Sequence, residues 1–425
     1  MTLQATTASD RTSAVFVCPF CGLLCDDLPG PGEADDNSSW ADKVQALCPK
    51  AAATIAALAD AGAVRGARVD GKVVAADTAI AEAARRIAAA RRPVIGGLGG
   101  DVQAMRSALA LGDRIGARLL HRNQFVVQRN LFAQQSRGAF TTTLAEARQR
   151  AEMVVLVGGD PTRAFPRLME RLLAPQPVFA DAAARRVVLL EAPAPEGLPA
   201  GTHVDQIDLG GRDLFDAVAL LRAALRGLPH DEAAGLDELA RRMAECRYGV
   251  VVWAAGQLPE SGADLLVEQL HQLVIDLNQR TRWAALPLAG NDGDLTANAV
   301  AAWQTGFALP IEFAGGEVHY DPFPDYADTD LLIWLGTLPG VGAAELPGAR
   351  ADVERIVIGA PPLGAGLAGR HVFIPAATPG IDASGHLVRT DGVITLYAPG
   401  VLRSPLPSAS AVIDAIAGAV IGFAS

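Results

Sequence analysis

Residues 153–161 read Met-Val-Val-Leu-Val-Gly-Gly-Asp-Pro, a short apolar run that ends on two glycines. Runs of this kind recur along the chain, and segments with helical spacing of apolar residues lie between them. A strand without apolar–polar alternation is buried on both faces, as in the parallel sheets of α/β proteins. The pattern therefore predicts an α/β fold of doubly wound, mostly parallel sheets.

Five further apolar runs support this fold class. The predicted strands cover residues 93–98, 187–190, 250–253, 331–335 and 355–358. The predicted helices cover residues 77–91, 102–116, 213–225 and 263–277. At residues 69–73, Val-Asp-Gly-Lys-Val predicts a hairpin, because Asp-Gly favours a two-residue turn.

A chain of 425 residues is too long for one compact core, so several subdomains are expected. We predict an N-terminal cysteine-rich lobe over residues 1–72 and a first α/β domain over residues 73–200. A second α/β domain follows over residues 201–370, and residues 371–425 close the scaffold. The stretch 192–201, rich in proline, glycine and alanine, is the predicted connector between the two α/β domains.

The charge pattern excludes several classes of function. The net charge is -11 and basic residues form no stripe, which argues against a nucleic-acid partner. No apolar stretch reaches the length of a membrane span, and the N-terminus lacks a secretory signal pattern. The sequence therefore predicts a cytoplasmic protein. Half of its residues are hydrophobic, which indicates that partner proteins cover some of its surface.

Four of the five cysteines lie close together in the sequence, at Cys18, Cys21, Cys25 and Cys48. Three thiols on one short loop, joined by a fourth, can ligate a [4Fe–4S] cluster. The same four groups can hold a tetrahedral zinc ion, or they can hold no metal. We predict that the quartet is a metal site, with these alternatives open. Cys246 is predicted to be an ordinary residue at a helix end.

Other motifs favour structural roles. Residues 96–100 read Gly-Gly-Leu-Gly-Gly and lack the spacing of a dinucleotide-binding loop, so a tight turn is predicted. The seven histidines include no pair at metal-ligand spacing. A histidine-based zinc site is therefore not predicted, and these motifs identify no catalytic and no cofactor-binding residue. The aromatic residues expected to anchor the core or an interface are Trp283, Trp303, Phe307 and Trp334.

Several motifs together resemble a known family. Residues 18–27 follow the pattern Cys-x-x-Cys-x-x-x-Cys-Asp-Asp, and Lys50 follows Cys48 by two positions. Further matches are Trp-Gln-Thr-Gly-Phe at 303–307 and the glycine-bounded segment 380–392. These features resemble molybdopterin oxidoreductases, and in particular the B subunit of formylmethanofuran dehydrogenase, from Cys18 to about residue 396. The resemblance implies a molybdopterin-oxidoreductase-like fold.

One segment departs from that pattern. Where the dehydrogenases carry a cysteine or selenocysteine ligand to tungsten or molybdenum, residues 122–130 contain no cysteine, serine or aspartate, and Val126 aligns nearest to the ligand. Valine cannot ligate a metal. The chain is in this respect similar to the B subunit of bacterial formyltransferase/hydrolase complexes. The resemblance implies that molybdopterin is absent and that the chain has no active site of its own.

The resemblance also implies partners and a metabolic setting. The partners are an amidohydrolase-type hydrolase subunit, a formyltransferase subunit and a C-type subunit, and the chain is their non-catalytic structural subunit. The setting is tetrahydromethanopterin-dependent one-carbon metabolism, from formaldehyde to formate. Two alternatives stay open: a catalytic tungsten- or molybdenum-dependent subunit of formylmethanofuran dehydrogenase, and an iron–sulfur electron-transfer subunit.

Overall fold

The computed structural model describes residues 15–32, 35–58, 64–231, 233–338, 340, 342, 345–350 and 352–424. The helices in this part of the chain are α1 (Asn37–Gln45), α2 (Pro49–Leu58), α3 (Ala76–Ala89), α4 (Val102–Ile115), α5 (Gln124–Arg137), α6 (Leu144–Arg150), α7 (Leu168–Leu172), α8 (Leu214–Leu225), α9 (Ala234–Glu245), α10 (Ala263–Leu277), α11 (Asp294–Thr305) and α12 (Ala409–Ala424). The strands are β1 (Arg68–Val69), β2 (Lys72–Val73), β3 (Pro93–Gly99), β4 (Arg118–Leu119), β5 (Met153–Val157), β6 (Arg186–Leu190), β7 (His203–Gln206), β8 (Tyr248–Ala254), β9 (Arg282–Leu288), β10 (Ile311–Ala314), β11 (Glu317–Tyr320), β12 (Leu331–Gly336), β13 (Glu354–Gly359), β14 (His371–Pro375), β15 (Gly385–Val388) and β16 (Thr395–Ala398).

The larger sheet has nine strands in the order β11-β10-β4-β3-β12-β13-β14-β1-β2. Its five central strands are parallel to one another: β4, β3, β12, β13 and β14. Antiparallel hairpins cover both edges, β10–β11 on one side and β1–β2 on the other. Because hairpins close both edges, the buried parallel strands expose no unpaired backbone there.

The second sheet has five strands in the order β7-β6-β5-β8-β9, and all of its pairs are parallel. The remaining strands, β15 and β16, form a separate antiparallel pair. All six predicted strands are present, and the predicted α/β class with mostly parallel sheets is confirmed. None of the helices in the described ranges combines the length and apolar composition needed to cross a bilayer.

Sheet membership does not follow the predicted division at residue 200. Strands β3 and β5 both precede that residue but lie in different sheets, whereas β5 and β8 pair across it. The five-stranded sheet, residues 153–288, is inserted between β4 and β10 of the nine-stranded sheet. The stretch 192–201 therefore connects two neighbouring strands of one sheet, β6 and β7.

The hairpin at residues 68–73 forms as predicted, with Asp70 and Gly71 both at positive φ in its turn. We predicted that it ends the N-terminal lobe. Strand β1 pairs with β14, so the hairpin belongs to the edge of the nine-stranded sheet. Pairing with a distant strand is a long-range contact that the local turn signal does not contain.

Alternate side chains of each central strand point into different cores. In β5, Val154 and Leu156 pack with α6, α7 and the N-terminal cysteine segment. Met153 and Val155 pack on the other face with α8, α9 and α10. Full burial of each such side chain contributes about 1.5–3 kcal/mol. The cysteine segment is thus attached to one face of the five-stranded sheet.

Candidate functional site

The cysteine loop is a closed turn at the N-terminal end of the described chain. The amide of Cys18 donates to the carbonyl of Cys25 at 2.9 Å, and that of Leu24 donates to Cys21 at 3.2 Å. Cys48 lies between α1 and α2, where its carbonyl accepts from the amide of Ala52. All four thiols are buried and free, and they belong to one hydrophobic core. The structure therefore brings the predicted quartet into one region.

Burial controls the chemistry of these thiols. It raises the pKa of Cys18 well above its usual range, and a charged Cys21 would raise it further. Burial also raises the pKa of Cys21 to about 12 and raises that of Cys25, although Arg171 and Arg167 oppose the shift of Cys25. Near neutral pH these three thiols are therefore protonated in the structure as it stands.

The four thiols lie near one another, but they are not grouped as a preformed metal site. Across the described ranges, no group of three or more Cys, His, Asp or Glu side chains is placed to hold one. A [4Fe–4S] cluster or zinc ion would require the four sulfur atoms to converge as thiolates on one centre. The assignment of Cys18, Cys21, Cys25 and Cys48 as metal ligands stays a prediction.

An ion-pair network fixes the cysteine loop to α7. Arg167 makes a bidentate pair with Asp27, at 2.6 Å and 3.0 Å, and also binds Glu170 at 2.8 Å. Arg171 binds Asp27 as well, and its guanidinium charge acts on the nearby thiol of Cys25. Of the two aspartates in the motif, Asp27 therefore links the cysteine loop to the helix that packs on the five-stranded sheet.

A loop at residues 289–294 meets the cysteine loop from the other side. The Lys50 ammonium donates to the carbonyl of Ala164 at 2.9 Å and to the Asn291 side chain at 3.3 Å. The partners of this lysine are thus a backbone carbonyl and a side-chain amide. Gly22 lies against Ala289, and its carbonyl accepts from the amide of Thr390 at 2.7 Å. The loop 289–294 therefore joins the cysteine loop to the C-terminal segment.

The segment aligned with the metal ligand of the dehydrogenases, residues 122–130, leads into α5 and forms its first half. Its polar side chains are used in structural hydrogen bonds. Gln124 donates to the carbonyl of Leu309 at 2.5 Å, Gln128 donates to that of Pro322 at 2.8 Å, and Asn130 accepts from the Trp253 indole at 2.9 Å. Val126 is partly buried against the core of the five-stranded sheet. This segment holds α5 in place and presents no metal-binding side chain at Val126.

The glycine-rich residues 96–100 do not form the tight turn that we predicted. Gly96 to Gly99 belong to β3, where the pairing with β12 shifts register. Gly97 has a φ of 75°, and a Cβ there would lie 2.8 Å from the Trp334 ring. Glycine is required because the indole packs directly on the backbone. A cavity of about 350 Å³ remains beside Gly97, at the lower end of the range for ligand pockets.

Two buried titratable groups belong to or contact the 289–294 loop: Asp294 lies in it, and His121 packs against it. His121 accepts from the amide of Asn123 through Nδ1 and contacts the carbonyl of Asp292 through Nε2 at 3.0 Å, which fixes the neutral Nε2–H form. Burial lowers the pKa of His121 to about 4. Burial raises the pKa of Asp294 to about 7, although its carboxylate accepts from the amide of Gly290 at 2.6 Å.

The raised pKa of Asp294 predicts that the free energy of unfolding depends on pH. Because its folded-state pKa lies above the ordinary value of 3.8, its stabilising contribution is present below about pH 4 and is lost as the pH rises through about 7. The variant Asp294→Asn stays neutral throughout. As the pH rises from about 4 to about 7, we expect the free energy of unfolding of the variant to increase relative to that of the wild type by roughly 2–4 kcal/mol. Urea unfolding at several pH values measures this difference.

The buried histidines do not obscure this comparison. Burial lowers the pKa of both His121 and His271 to about 4, so their contribution to stability falls as the pH drops below about 6.5. They are present in the wild type and in the variant, and they cancel in the difference between the two. A difference that stays constant from pH 4 to pH 7 would contradict the assigned pKa of Asp294.

Comparisons with known proteins support the resemblance. The chain is 32% identical over 316 residues to the B subunit of the formyltransferase/hydrolase complex Fhc of Methylorubrum extorquens, covering 69% of this chain and 84% of the relative. It is 26% identical over 401 residues to the B subunit of tungsten-containing formylmethanofuran dehydrogenase 2 of Methanocaldococcus jannaschii, covering 89% and 91%. No family model matches the chain.

A solved structure agrees with these relatives. The crystal structure of the formyltransferase/hydrolase complex (FhcABCD) from Methylorubrum extorquens, in complex with methylofuran, contains a chain that superposes with a TM-score of 0.71 at 28% identity. The match covers 84% of this chain and 99% of the other. By its sequence and its fold, the chain belongs to the family of the formyltransferase/hydrolase complex B subunit.

Proposed function

We propose that this chain is the structural B subunit of a formyltransferase/hydrolase complex of one-carbon metabolism. The support is the similarity to the Fhc B subunit and to a chain of the solved complex. Its partners in this proposal are the formyltransferase, the amidohydrolase-type hydrolase and the C-type subunit, and its location is the cytoplasm. The formyl group is then transferred and hydrolysed on the partner subunits.

The observation that supports a non-catalytic role is the structure of α5. A metal–dithiolene centre requires a soft or anionic protein ligand, and the aligned position is Val126. The neighbouring side chains of Gln124, Gln128 and Asn130 are already engaged in hydrogen bonds within the fold. The scaffold is that of a molybdopterin-oxidoreductase-like protein in this proposal, without the pterin cofactor.

The cysteine quartet is part of the same proposal. The quartet contributes to an N-terminal lobe, whether it holds a [4Fe–4S] cluster, zinc or no metal. In each case the proposed role is structural, because Arg167 and Arg171 already join this lobe to α7. Elemental analysis of the purified complex distinguishes among the three states.

A second candidate is a catalytic subunit of formylmethanofuran dehydrogenase. The similarity to the tungsten-containing relative favours it, because that similarity extends over 89% of this chain. The two functions differ in redox chemistry. A dehydrogenase subunit would reduce a viologen dye with formate and would contain a dithiolene cofactor.

The test is to co-express the chain with the formyltransferase, hydrolase and C-type subunits and to purify the assembly through a tag on this chain. We expect the four subunits to co-purify and to transfer and hydrolyse formyl groups without reducing viologen dye. We also expect Val126→Cys to gain no formate oxidation, because one added thiol does not supply the pterin cofactor that carries the redox chemistry. Formate-dependent dye reduction by the wild type would contradict the structural role.

A further inference from the structure

A group of aromatic side chains lies on the surface beside the C-terminal end of α11. Its members are Trp303, Phe307, Tyr320 and Phe323, and we call them the aromatic surface. Trp303 is 62% exposed, Phe307 42% and Phe323 76%. Large aromatic side chains with this exposure are uncommon on a monomer and are typical of the centre of a protein interface.

Contacts fix three members of the aromatic surface in place. The rings of Phe307 and Tyr320 are stacked with their centres 6.4 Å apart. The ring of Phe323 lies 6.0 Å from that of Phe132 on α5. Gln128, also on α5, donates to the carbonyl of Pro322 at 2.8 Å and so fixes the segment that carries Phe323. A preformed surface loses little entropy when a partner binds.

Acidic residues flank Tyr320 and Phe323 in the sequence. Residues 283–349 contain no lysine or arginine and nine aspartates and glutamates. Glu317, Asp321 and Asp325 are exposed next to the aromatic surface, and none of the three makes an ion pair with another described residue. By contrast, Asp328 is neutralised by Arg92 at 2.9 Å and Arg118 at 2.7 Å. The rim of the aromatic surface therefore carries uncompensated negative charge.

We propose that the aromatic surface docks a partner subunit whose contact face presents apolar side chains ringed by lysine and arginine. The inference rests on the proposed function, which supplies the partner subunits, and it specifies where one of them binds. Apolar contacts with Trp303 and Phe323 provide affinity at the centre. The acidic rim selects a basic partner and accelerates association.

A second copy of this chain fits the surface poorly. In a symmetric dimer the same patch occurs on both subunits, so the acids of one rim would face the acids of the other. Like charges placed opposite one another cost several kcal/mol across an interface. The charge of the rim therefore favours a different protein with a basic face.

The experiment measures how much of the partner subunits a tagged chain retains after co-expression and washing. One double variant, Trp303→Ala with Phe323→Ala, removes the aromatic centre. A second, Asp321→Lys with Asp325→Lys, reverses charge on the rim. The matched controls are Phe179→Ala, an aromatic that is 59% exposed elsewhere, and Glu260→Lys, an exposed acid elsewhere.

We expect each double variant to retain at least about tenfold less of one partner subunit than the wild type, and each control to retain it as the wild type does. Raising the salt concentration should weaken retention by the wild type more than by the charge-reversed variant. All altered side chains are exposed, and the charge-reversed variant loses only the local hydrogen bonds that Asp321 and Asp325 accept from Phe323 and Ala327, so circular dichroism should show an unchanged overall fold. A pair of variants that fold and retain every partner normally would overturn the inference and leave the proposed function standing. A wild-type chain that retains no partner subunit would instead overturn the proposed function, and the inference with it.

Discussion

Replacing Gly22 with alanine is expected to lower the free energy of unfolding by roughly 2–4 kcal/mol. A Cβ at this position would overlap the carbonyl oxygen of Ala289 and would lie 3.0 Å from the Cα of Gly290. Both neighbours are backbone, so neither can rotate away. The cysteine loop would have to move off the 289–294 loop and lose the hydrogen bond from Thr390. The midpoint of urea unfolding measures this effect.

The matched control is Gly366→Ala. A Cβ at Gly366 would have no neighbour within 4 Å, and this residue does not adopt a positive φ, so alanine should be tolerated there. We expect a change within about 0.5 kcal/mol for this variant. Equal stability of the two variants would show that the cysteine loop does not dock on Ala289 as described.

Replacing Trp253 with alanine should destabilise the chain by about 3–5 kcal/mol, because the side chain is 1% exposed and its removal leaves a large cavity. The ring packs edge-on against His271 at 5.1 Å, and its indole donates to Asn130 on α5. The variant therefore also leaves the buried amide of Asn130 without its donor. Thermal unfolding of the variant and the wild type provides the measurement.

Trp303→Ala serves as the comparison for this variant, since the same substitution removes an exposed indole. Its free energy of unfolding should stay within about 0.5 kcal/mol of the wild type. If Trp253→Ala were equally mild, the packing of β8 against α5 would be wrong, and with it the structural explanation for the segment around Val126.

The sequence predicted the individual elements better than their assembly. Runs such as Met153–Val157 and Tyr248–Ala254 are apolar on both faces, and a strand buried on both faces needs that composition. Which strands share a sheet depends on contacts between residues far apart in the chain. The insertion of the five-stranded sheet between β4 and β10 therefore could not be deduced from local patterns.

Helix α5 shows a second limit of prediction. Its buried positions include Gln124, Gln128 and Asn130, so its apolar residues do not mark the buried face. The resemblance placed Val126 opposite the missing metal ligand, but it could not reveal the hydrogen bonds that engage the neighbouring residues. A pattern based on hydrophobicity fails wherever polar side chains are buried with partners.

The candidate site was predicted in part. The spacing of Cys18, Cys21 and Cys25 indicated one loop, and the structure brings these residues and Cys48 into one core. The loop at residues 289–294 was not anticipated. Its signal was the turn-forming sequence Asn-Asp-Gly-Asp after a strand, and such a signal does not say what the turn contacts.

The central claim is that this chain supports formyl-group chemistry without carrying it out. The decisive variant is Cys21→Ser in the complete complex. Cys21 is a buried member of the cysteine quartet, which is the candidate site that the sequence motifs identify within the described residues. The measurement is the rate of formyl transfer and of formyl hydrolysis per assembled complex. The same preparation reports stability through its thermal midpoint.

We predict that both rates stay within about twofold of the wild type, since the proposed function assigns the binding of the reacting atoms to other subunits. If the quartet holds a structural metal, stability should fall by an amount on the order of a few kcal/mol. A loss of either activity of about a hundredfold, with the complex still assembled, would contradict the claim and would place the cysteine loop in the reaction.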